Sequence, residues 1–323
     1  MAFGSRAGRV LGAGLAAWLL ASPVAGVAEP PPPRLTFTTL GTNSGPIPDP
    51  QRFEAASLVR YGGDAILVDA GDGAADQLAR AGLAIGDLKA VFISHLHFDH
   101  TGGLFGLLSL RYQAGYSTPL TIYGPPGVKA TVEGLLAAIE PGVSAVSTMR
   151  AKGFGGPAAG LTIVELAPDA VVKVGEITVS ATENSHYDTL PAANRPLSLA
   201  YRFDAPGRSI LFTGDTGPSA NVARLCQGVD LLVSEIMDPS LAIKHIRENR
   251  PDIPVIALPI VEAHFRREHM TPEEVGKLAR ACGAKAVTLT HIALLDPELP
   301  GAAETIGQIF KGDIVFARDL ETF

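Results

Sequence analysis

The amino-acid sequence predicts an α/β fold in which two β-sheets are sandwiched between layers of helices. Apolar runs of strand length dominate the first part of the chain, and an alternation of strands and helices follows them. The chain has 323 residues, of which 46% are hydrophobic and 18% are charged, and this is enough to bury the core of a layered domain. We therefore expect a four-layer αββα sandwich.

Short apolar segments in the first half of the chain predict strands, separated by turns rich in glycine. The predicted strands are Leu35–Leu40, Ala56–Tyr61, Ala65–Val68, Ala90–Ser94 and Leu120–Tyr123. The second and third are joined by Gly62-Gly63-Asp64, a sequence typical of a hairpin turn. Helices are predicted at Gly71–Ala81, Gly102–Gln113 and Pro125–Ile139, the last with a proline near its first turn.

The second half of the chain continues this rhythm with more strands than helices. The predicted strands are Thr162–Leu166, Ala170–Val174, Ile177–Ala181, Leu197–Phe203, Ser209–Thr213, Leu231–Ser234, Ala286–Thr290 and Ile314–Phe316. The predicted helices lie near Asn221–Cys226, Pro272–Cys282 and Ala302–Phe310. Residues 237–268 are predicted to form an irregular insert.

The N-terminus has the layout of a secretory signal peptide. Arg6 and Arg9 form a positive start, an apolar run from Val10 to Leu20 follows, and small residues lead to Ala28. The run is too short for a permanent membrane span, so we expect cleavage after Ala28 and an exported, periplasmic or secreted domain over residues 29–323. An uncleaved anchor is the alternative.

The charge balance bears on the partner that this chain can bind. Without residues 1–28 the chain has 24 basic and 33 acidic residues, a net charge of −9. Proteins that grip polyanions usually present a basic surface, so the balance argues against structured nucleic acid as the partner, although a local basic patch stays open.

Two cysteines, Cys226 and Cys282, fall in predicted helices. An oxidising compartment would permit a bridge between them. Because the sequence does not place the two helices side by side, we expect two buried free thiols.

The densest cluster of chemically reactive residues directly follows a predicted strand. His95, His97, Asp99 and His100 lie within six residues, and imidazole and carboxylate groups are suitable ligands for zinc, manganese or iron. Side chains two residues apart in an extended segment point to the same side, so His95 and His97 can share one metal ion. The turn that follows can direct Asp99 and His100 toward a second ion.

Three more candidate ligands follow later strands. His186 comes after Ile177–Ala181, Asp215 after Ser209–Thr213, and His291 after Ala286–Thr290. A lone histidine is more often a structural residue, but sites in layered α/β folds collect where strands end. We therefore expect these side chains to join the first cluster.

The order His-x-His-x-Asp-His, His, Asp, His resembles that of the metallo-β-lactamase superfamily over most of the chain. The resemblance implies the metallo-β-lactamase fold and two metal ions, with zinc favoured and manganese or iron as alternatives. By this resemblance His95, His97 and His186 hold one ion, Asp99, His100 and His291 hold the other, and Asp215 bridges them. The bridging aspartate implies a phosphodiesterase-like member of the superfamily, since the true β-lactamases of this fold lack it.

Further motifs resemble the ribonuclease Z-like branch, including Leu40-Gly41-Thr42 and Val68-Asp69-Ala70-Gly71. In this branch Asp69 would orient a ligand histidine. Glu235, at the end of a strand, and His269, just before a helix, would form a pair in which His269 protonates the leaving oxygen or stabilises the developing charge. Thr271 and Glu274 fit a helix N-cap without any catalytic role.

The chain departs from ribonuclease Z in having no long basic arm that would grip tRNA, and in its acidic charge. Together with the signal-peptide layout, the resemblance favours an exported hydrolase that cleaves a phosphodiester or sulfate ester in a small anionic substrate, as arylsulfatases and cyclic-nucleotide phosphodiesterases do. A metal-bridging hydroxide would attack, with Asp99, His269 and Glu235 as catalytic residues. A lactonase or thioesterase, and a non-catalytic metal-binding protein, are the alternatives. Members of this family are often dimers, so the resemblance leaves a homodimer open, but no periodic apolar stripe in the sequence indicates one.

Overall fold

Two β-sheets of seven strands each form the centre of the unit that runs from Pro33 to Phe323 in the computed structural model. The structure describes residues 1–2, 32–145, 155–250 and 252–323, and every count given below refers to these residues. The predicted signal peptide, residues 1–28, lies outside them apart from its first two residues. No helix of the described residues is long and apolar enough to cross a membrane.

The first sheet has the strand order β14-β1-β2-β3-β4-β5-β6. Its strands are β1 (Thr36–Gly41), β2 (Ala56–Tyr61), β3 (Asp64–Ala70), β4 (Ala90–Phe92), β5 (Leu120–Gly124), β6 (Leu161–Glu165) and β14 (Glu321–Thr322). Pairing is antiparallel from β14 to β3 and parallel from β3 to β6, with Val91 of β4 beside Leu67 and Ile122. The carboxyl ends of β3, β4 and β5 therefore meet at one edge.

The second sheet mirrors the first, with the order β13-β12-β11-β10-β9-β8-β7. Its strands are β7 (Val171–Val174), β8 (Ile177–Glu183), β9 (Leu199–Ala205), β10 (Arg208–Phe212), β11 (Leu231–Met237), β12 (Ala286–Ala293) and β13 (Asp313–Phe316). Pairing is antiparallel from β7 to β10 and parallel from β10 to β13. The parallel strands β10, β11 and β12 also deliver their carboxyl ends to one edge.

Helices cover the outer faces of both sheets. They are α1 (Ala74–Arg80), α2 (Phe98–Thr101), α3 (Leu104–Gln113), α4 (Val128–Val143), α5 (Ala220–Leu225), α6 (Pro239–Asn249), α7 (Leu258–Glu268), α8 (Pro272–Cys282) and α9 (Leu299–Ile309). Residues of α1, α3 and α4 pack on the first sheet, and residues of α5, α8 and α9 pack on the second.

A third core fills the space between the sheets. Phe37, Phe92, Tyr201 and Phe203 are fully buried there, and the ring of Phe92 meets that of Tyr201 edge-on at 5.2 Å. Burying each such side chain contributes about 1.5–3 kcal/mol, so the two sheets are held face to face by this layer. The predicted four-layer αββα sandwich is confirmed.

The expectation of an irregular segment at 237–268 was wrong. It contains α6 and α7, and Asp238 caps α6 by accepting hydrogen bonds from the backbone N–H groups of Ser240 and Leu241. Four prolines, at positions 239, 251, 254 and 259, interrupt the segment and weakened its helical pattern in the sequence, and two of them stand at helix starts. The two helices pack on each other. Ile243 of α6 and Leu258 of α7 are buried.

The expectation of two free thiols was also wrong, because Cys226 and Cys282 form a disulfide with a Cα–Cα distance of 5.1 Å. Both side chains are buried, as expected. The bridge joins the ends of α5 and α8, which lie side by side on the second sheet. That adjacency depends on the order of the strands, which the spacing of the two cysteines does not reveal.

Candidate metal centre

The cluster His95–His100 lies at the shared carboxyl edge because the buried strand β4 delivers it there. Asp69, at the end of β3, accepts hydrogen bonds from the Ser94 backbone N–H at 2.7 Å and from the Ser94 hydroxyl at 2.8 Å. The backbone is extended at His97, and the single turn of α2 then brings Asp99 and His100 back toward the strand end. The local fold thus presents four candidate ligands from one short segment.

Gly71 permits this turn to lie close to β3. A Cβ atom at position 71 would lie 2.3 Å from the carbonyl oxygen of Asp99 and 2.6 Å from Cβ of Glu54. No side chain fits in such a space, so the Val68-Asp69-Ala70-Gly71 motif has a packing function as well as an electrostatic one.

One group of nitrogen atoms converges from His95, His97 and His186. The distance from His95 Nε2 to His97 Nδ1 is 3.0 Å, and that from His186 Nε2 to His97 Nδ1 is 3.3 Å. Two nitrogen ligands of a tetrahedral zinc ion lie about 3.3 Å apart, given bonds of about 2.05 Å. The spacing therefore fits a bound metal ion.

A second group of donors converges from Asp99, His100 and His291. His100 Nε2 lies 3.2 Å from His291 Nε2 and 3.5 Å from Asp99 Oδ2, and His291 Nε2 lies 3.4 Å from the same carboxylate oxygen. These distances also match the spacing of ligands around one ion. The structure thus brings all six predicted ligands into two groups of three.

Asp215 lies between the two groups. Its Oδ2 atom is 3.9 Å from His95 Nε2, 3.4 Å from His100 Nε2 and 3.3 Å from His291 Nε2. One carboxylate oxygen is therefore close to donors of both groups, which is the position that a bridging ligand requires. Asp215 is 3% exposed, so its charge is compensated mainly by neighbouring imidazoles rather than by water.

Hydrogen bonds fix the orientation of three of these imidazoles. The Nδ1–H group of His95 faces the Ser94 hydroxyl at 3.0 Å, that of His100 faces Asp69 at 2.8 Å, and that of His186 faces the backbone carbonyl of Glu268 at 3.1 Å. Each contact leaves Nε2 free to bind a metal ion. The expectation that Asp69 orients a ligand histidine is matched by its contact with His100.

The pKa values of the histidines differ between the two groups of ligands. Burial lowers the pKa of His186 to about 3 and holds the pKa of His95 well below its usual value, so both imidazoles are neutral and able to bind metal. Burial acts in the same direction on His100, but the carboxylates of Asp215 and Asp69 outweigh it and raise its pKa. Asp215 is held ionised, since His291 and His100 outweigh the effect of burial on its pKa.

His269 and Glu235 form the predicted pair beside the converging donors. His269 Nδ1 donates to Glu235 Oε2 at 2.7 Å, and the His269 ring lies 5.1 Å from that of His186 and 6.4 Å from that of His291. Burial lowers the pKa of His269, but the carboxylate of Glu235 more than compensates and raises it to about 9. His269 is therefore protonated at neutral pH in the metal-free protein.

The Thr271 hydroxyl accepts from Glu274 N–H at 3.3 Å, as the N-cap motif predicted.

Residues that the sequence patterns did not single out also surround the site. Tyr187 packs its ring 4.9 Å from that of His186 and 5.3 Å from that of His97. Glu54 reaches the second group from the loop before β2, and burial raises the pKa of its carboxyl group. Tyr187 could have been suspected from its place next to His186, but no local pattern marks Glu54.

A groove of about 440 Å³ lies between α7 and the loop that follows His186. Pro259, Ile260 and Ala263 line it, and Ile260 is 72% exposed. Glu268 connects the groove to the site, because its carboxylate accepts from the Thr189 hydroxyl and its backbone carbonyl accepts from His186. An exposed apolar surface at this position marks a place where an apolar group can bind.

The comparisons with known proteins agree with this geometry. Residues 64–292 match the beta-lactamase superfamily domain. The chain is 31% identical over 277 residues to Ribonuclease Z of Mycobacterium sp. (strain KMS), covering 83% of this chain and 86% of that protein. The chain therefore belongs to the metallo-β-lactamase superfamily, as a homologue of ribonuclease Z, and is a hydrolase of that fold.

Solved structures show the same fold at low sequence identity. The metallo-β-lactamase fold protein YhfI from Bacillus subtilis superposes with a TM-score of 0.64 at 19% identity, covering 90% of this chain and 99% of that one. Human tRNase Z, short form, gives 0.60 at 23% identity, with 89% and 98% covered. Zn(2+)-bound PqqB from Methylobacterium extorquens gives 0.60 at 15% identity, with 89% and 99% covered. At these identities the likeness supports the fold alone.

Proposed function

We propose that this protein is an exported hydrolase that uses two divalent metal ions to cleave phosphodiester or sulfate esters. The observation that carries the proposal is the position of Asp215, whose Oδ2 lies 3.4 Å from His100 Nε2 and 3.9 Å from His95 Nε2. One carboxylate oxygen close to both groups of ligands supports a two-metal site rather than two separate ones.

Seven of the residues would bind the metal ions, and His269 with Glu235 would take part in proton transfer. His95, His97 and His186 would hold one ion, Asp99, His100 and His291 the other, and Asp215 would bind both. When bound, the ions would lower the pKa of a water molecule and polarise the ester oxygen. Mixed imidazole and carboxylate ligands fit zinc best, and manganese or iron also suit them.

His269 is the proton donor in this proposal. Its Nδ1–H group is committed to Glu235 at 2.7 Å, which turns Nε2 away from that carboxylate and leaves it to face a substrate. A protonated Nε2 can donate to the leaving oxygen as the ester bond breaks. Glu235 in turn accepts from the Thr216 backbone N–H at 2.5 Å, next to Asp215, and this fixes the pair against the metal ligands.

A small anionic ester is proposed as the substrate in preference to RNA. The relatives named Ribonuclease Z act on RNA by their name, but this chain without residues 1–28 has a net charge of −9. An acidic surface repels a long polyanion at every phosphate, whereas a small substrate meets mainly the cationic centre. RNA cleavage remains the competing activity that the experiment below includes.

Hydrolysis of an acyl ester, lactone or thioester is the second candidate activity. The groove beside α7 favours it, since Pro259, Ile260 and Ala263 offer an apolar wall, although Thr189, His264 and Arg267 line the same groove. Its volume of about 440 Å³ lies in the range of small-molecule sites. The same groove would also bind an aryl leaving group of a phosphate or sulfate ester.

Export is supported by the disulfide and the N-terminal sequence together. Cys226 and Cys282 are bonded in the structure, and structural disulfides are typical of oxidising compartments. The signal-peptide layout of residues 1–28 points to the same compartment.

Four substrates test the proposed reaction, namely bis-p-nitrophenyl phosphate, p-nitrophenyl sulfate, a homoserine lactone and a tRNA precursor. We expect the wild type to hydrolyse a phosphodiester or the sulfate, to lose activity with a chelator and to regain it with added metal. His95→Ala should lose the activity. His245→Ala is the matched control, because that imidazole pairs with Glu298 at 3.0 Å and belongs to none of the converging groups among the described residues.

Chelator-insensitive turnover, or no turnover on any of the substrates despite two bound ions, would contradict the proposal. Activity on the tRNA precursor alone would replace the small ester with RNA. Activity on the lactone alone would favour the second candidate.

A further inference from the structure

His291 differs from the other histidines whose Nε2 atoms face the centre. His95, His100, His186 and His269 each have a hydrogen-bond partner at Nδ1. The Nδ1 atom of His291 is buried and has no partner among the described residues. A metal-binding histidine almost always donates its other ring N–H to a carboxylate or carbonyl group, so this atom requires an explanation.

Glu54 has a buried acceptor atom that lacks a hydrogen-bond donor. Its Oε2 atom is buried without a partner among the described residues, while its Oε1 accepts a hydrogen bond from Asn43 Nδ2 at 3.2 Å. In the described part of the chain, the buried side-chain nitrogen and oxygen atoms without a hydrogen-bond partner are Glu54 Oε2, His291 Nδ1 and Arg111 Nε. A carboxylate oxygen that lacks a donor and an imidazole nitrogen that lacks an acceptor can satisfy each other.

The backbone holds Glu54 on the same side of the site as His291. Asn43 forms an isolated parallel bridge with Ile292, the residue directly after His291. The Ile292 backbone N–H also donates to the Thr42 carbonyl at 2.9 Å. The side chain of Asn43, which is fixed beside this strand, then holds Glu54 through Oε1 and leaves Oε2 available.

His291 also has a strained backbone, with φ at +46°. A non-glycine residue in this region is conformationally strained and persists where its surroundings demand it. The Nε2 atom of His291 lies 3.4 Å from Asp99 Oδ2 and 3.3 Å from Asp215 Oδ2, so this nitrogen faces the centre. The ring still needs a contact that selects which nitrogen carries the proton.

We propose that Glu54 is a positioning residue for the metal ion held by Asp99, His100 and His291. When that ion binds, the Glu54 carboxylate accepts the Nδ1–H group of His291, which keeps Nε2 unprotonated for the metal. This inference rests on the proposed two-metal function, but it concerns a residue outside the ligand set. Glu54 touches neither the substrate nor the ion.

Metal titration of Glu54→Ala and Glu54→Gln against a competing chelator tests the proposal without reference to turnover. Glu54→Ala should bind one of the two zinc ions about 10–100-fold more weakly, the usual cost of losing such a contact. Affinity for the other ion should change less than threefold. Glu54→Gln should recover at most part of the loss, because its one amide oxygen can accept from either His291 Nδ1–H or Asn43 Nδ2 but not replace both carboxylate oxygens.

The matched control is Asp319→Asn, because Asp319 anchors the same loop at a different point. It accepts from Thr42 N–H at 3.0 Å and from Phe53 N–H at 2.7 Å, with no contact to His291. If Glu54 only held the loop in place, Asp319→Asn would weaken the same ion equally, and that result would overturn the proposal. Nitrogen-15 spectra of the zinc-loaded wild type should show His291 protonated at Nδ1, with that proton signal lost or shifted in Glu54→Ala.

The outcomes separate this inference from the proposed function. Two ions in the wild type with unchanged affinities in Glu54→Ala would overturn the inference alone. Fewer than two ions in the wild type would count against the proposed function itself. Loss of both ions in Glu54→Gln, with its fold intact by circular dichroism, would also overturn the positioning role.

Discussion

Substitution of His269 by alanine should separate metal binding from proton donation. The imidazole lies outside the two groups of three donors that hold the ions in our proposal, although one of its nitrogen atoms lies within 4.8 Å of donor atoms of His186 and Asp215. Its Nδ1–H group is held by Glu235 at 2.7 Å. We therefore expect His269→Ala to retain both ions. We also expect it to lose most turnover on substrates whose leaving oxygen needs a proton.

The magnitude follows from the contact between His269 and Glu235. At 2.7 Å the carboxylate fixes the ring and favours its protonated form, and the pKa of His269 is raised to about 9 despite burial. A general acid held in this way typically contributes about 10²–10⁴-fold to the rate. A methyl or alkyl ester should lose this full factor, whereas a p-nitrophenyl ester, which leaves easily without a proton, should lose less than about tenfold.

The assay compares kcat for a series of phosphodiesters whose leaving groups span from p-nitrophenol to an alcohol. Metal content is measured on the same preparations, and His245→Ala serves as the control for losing a histidine. An equal loss for every leaving group would refute proton donation by His269. Loss of one ion in His269→Ala would instead make His269 a metal ligand.

Three other predictions concern stability, pH and metal binding. Replacing Cys226 and Cys282, which are 56 residues apart in sequence, with serine should lower the free energy of unfolding by about 4 kcal/mol in urea titrations, and a change below 1 kcal/mol would contradict a structural role for the bridge. His269 has a folded-state pKa of about 9, above its usual value of 6.5, so its stabilising effect is complete below pH 6.5 and is lost as the pH rises through 9. The difference in unfolding free energy between metal-free wild type and His269→Gln should therefore shrink by about 3 kcal/mol over that range, and a constant difference would refute the assigned shift. Asp69→Asn should weaken zinc binding about 10–100-fold through His100, and unchanged affinity would show that their 2.8 Å contact does not orient the ligand.

The sequence was sufficient to predict thirteen of the fourteen described strands, all but Glu321–Thr322, because most strands have local apolar patterns. The strand Ala56–Tyr61 and the helix Pro272–Cys282 have the predicted bounds, since an alternating apolar run and a capped amphipathic helix are both local signals. His95–His100 form one short segment with an unusual density of ligands. The seven predicted ligand side chains lie together because strand ends meet at shared edges.

The features that the sequence did not predict depend on long-range packing. The disulfide requires α5 and α8 to lie side by side, and their contact follows from the strand order of the second sheet. The helices α6 and α7 lie in a segment with four prolines, which obscured them in the sequence, and they pack on each other in the folded protein. Glu54 gains its place only when the loop around Asn43 pairs with Ile292, more than two hundred residues away in sequence.

Anomalous diffraction from crystals grown with zinc tests the two-metal centre most directly. We predict two ions, one bound by His95, His97 and His186 and the other by Asp99, His100 and His291. The carboxylate of Asp215 should contact both. A single ion at full occupancy, or two ions of which only one contacts Asp215, would contradict the account.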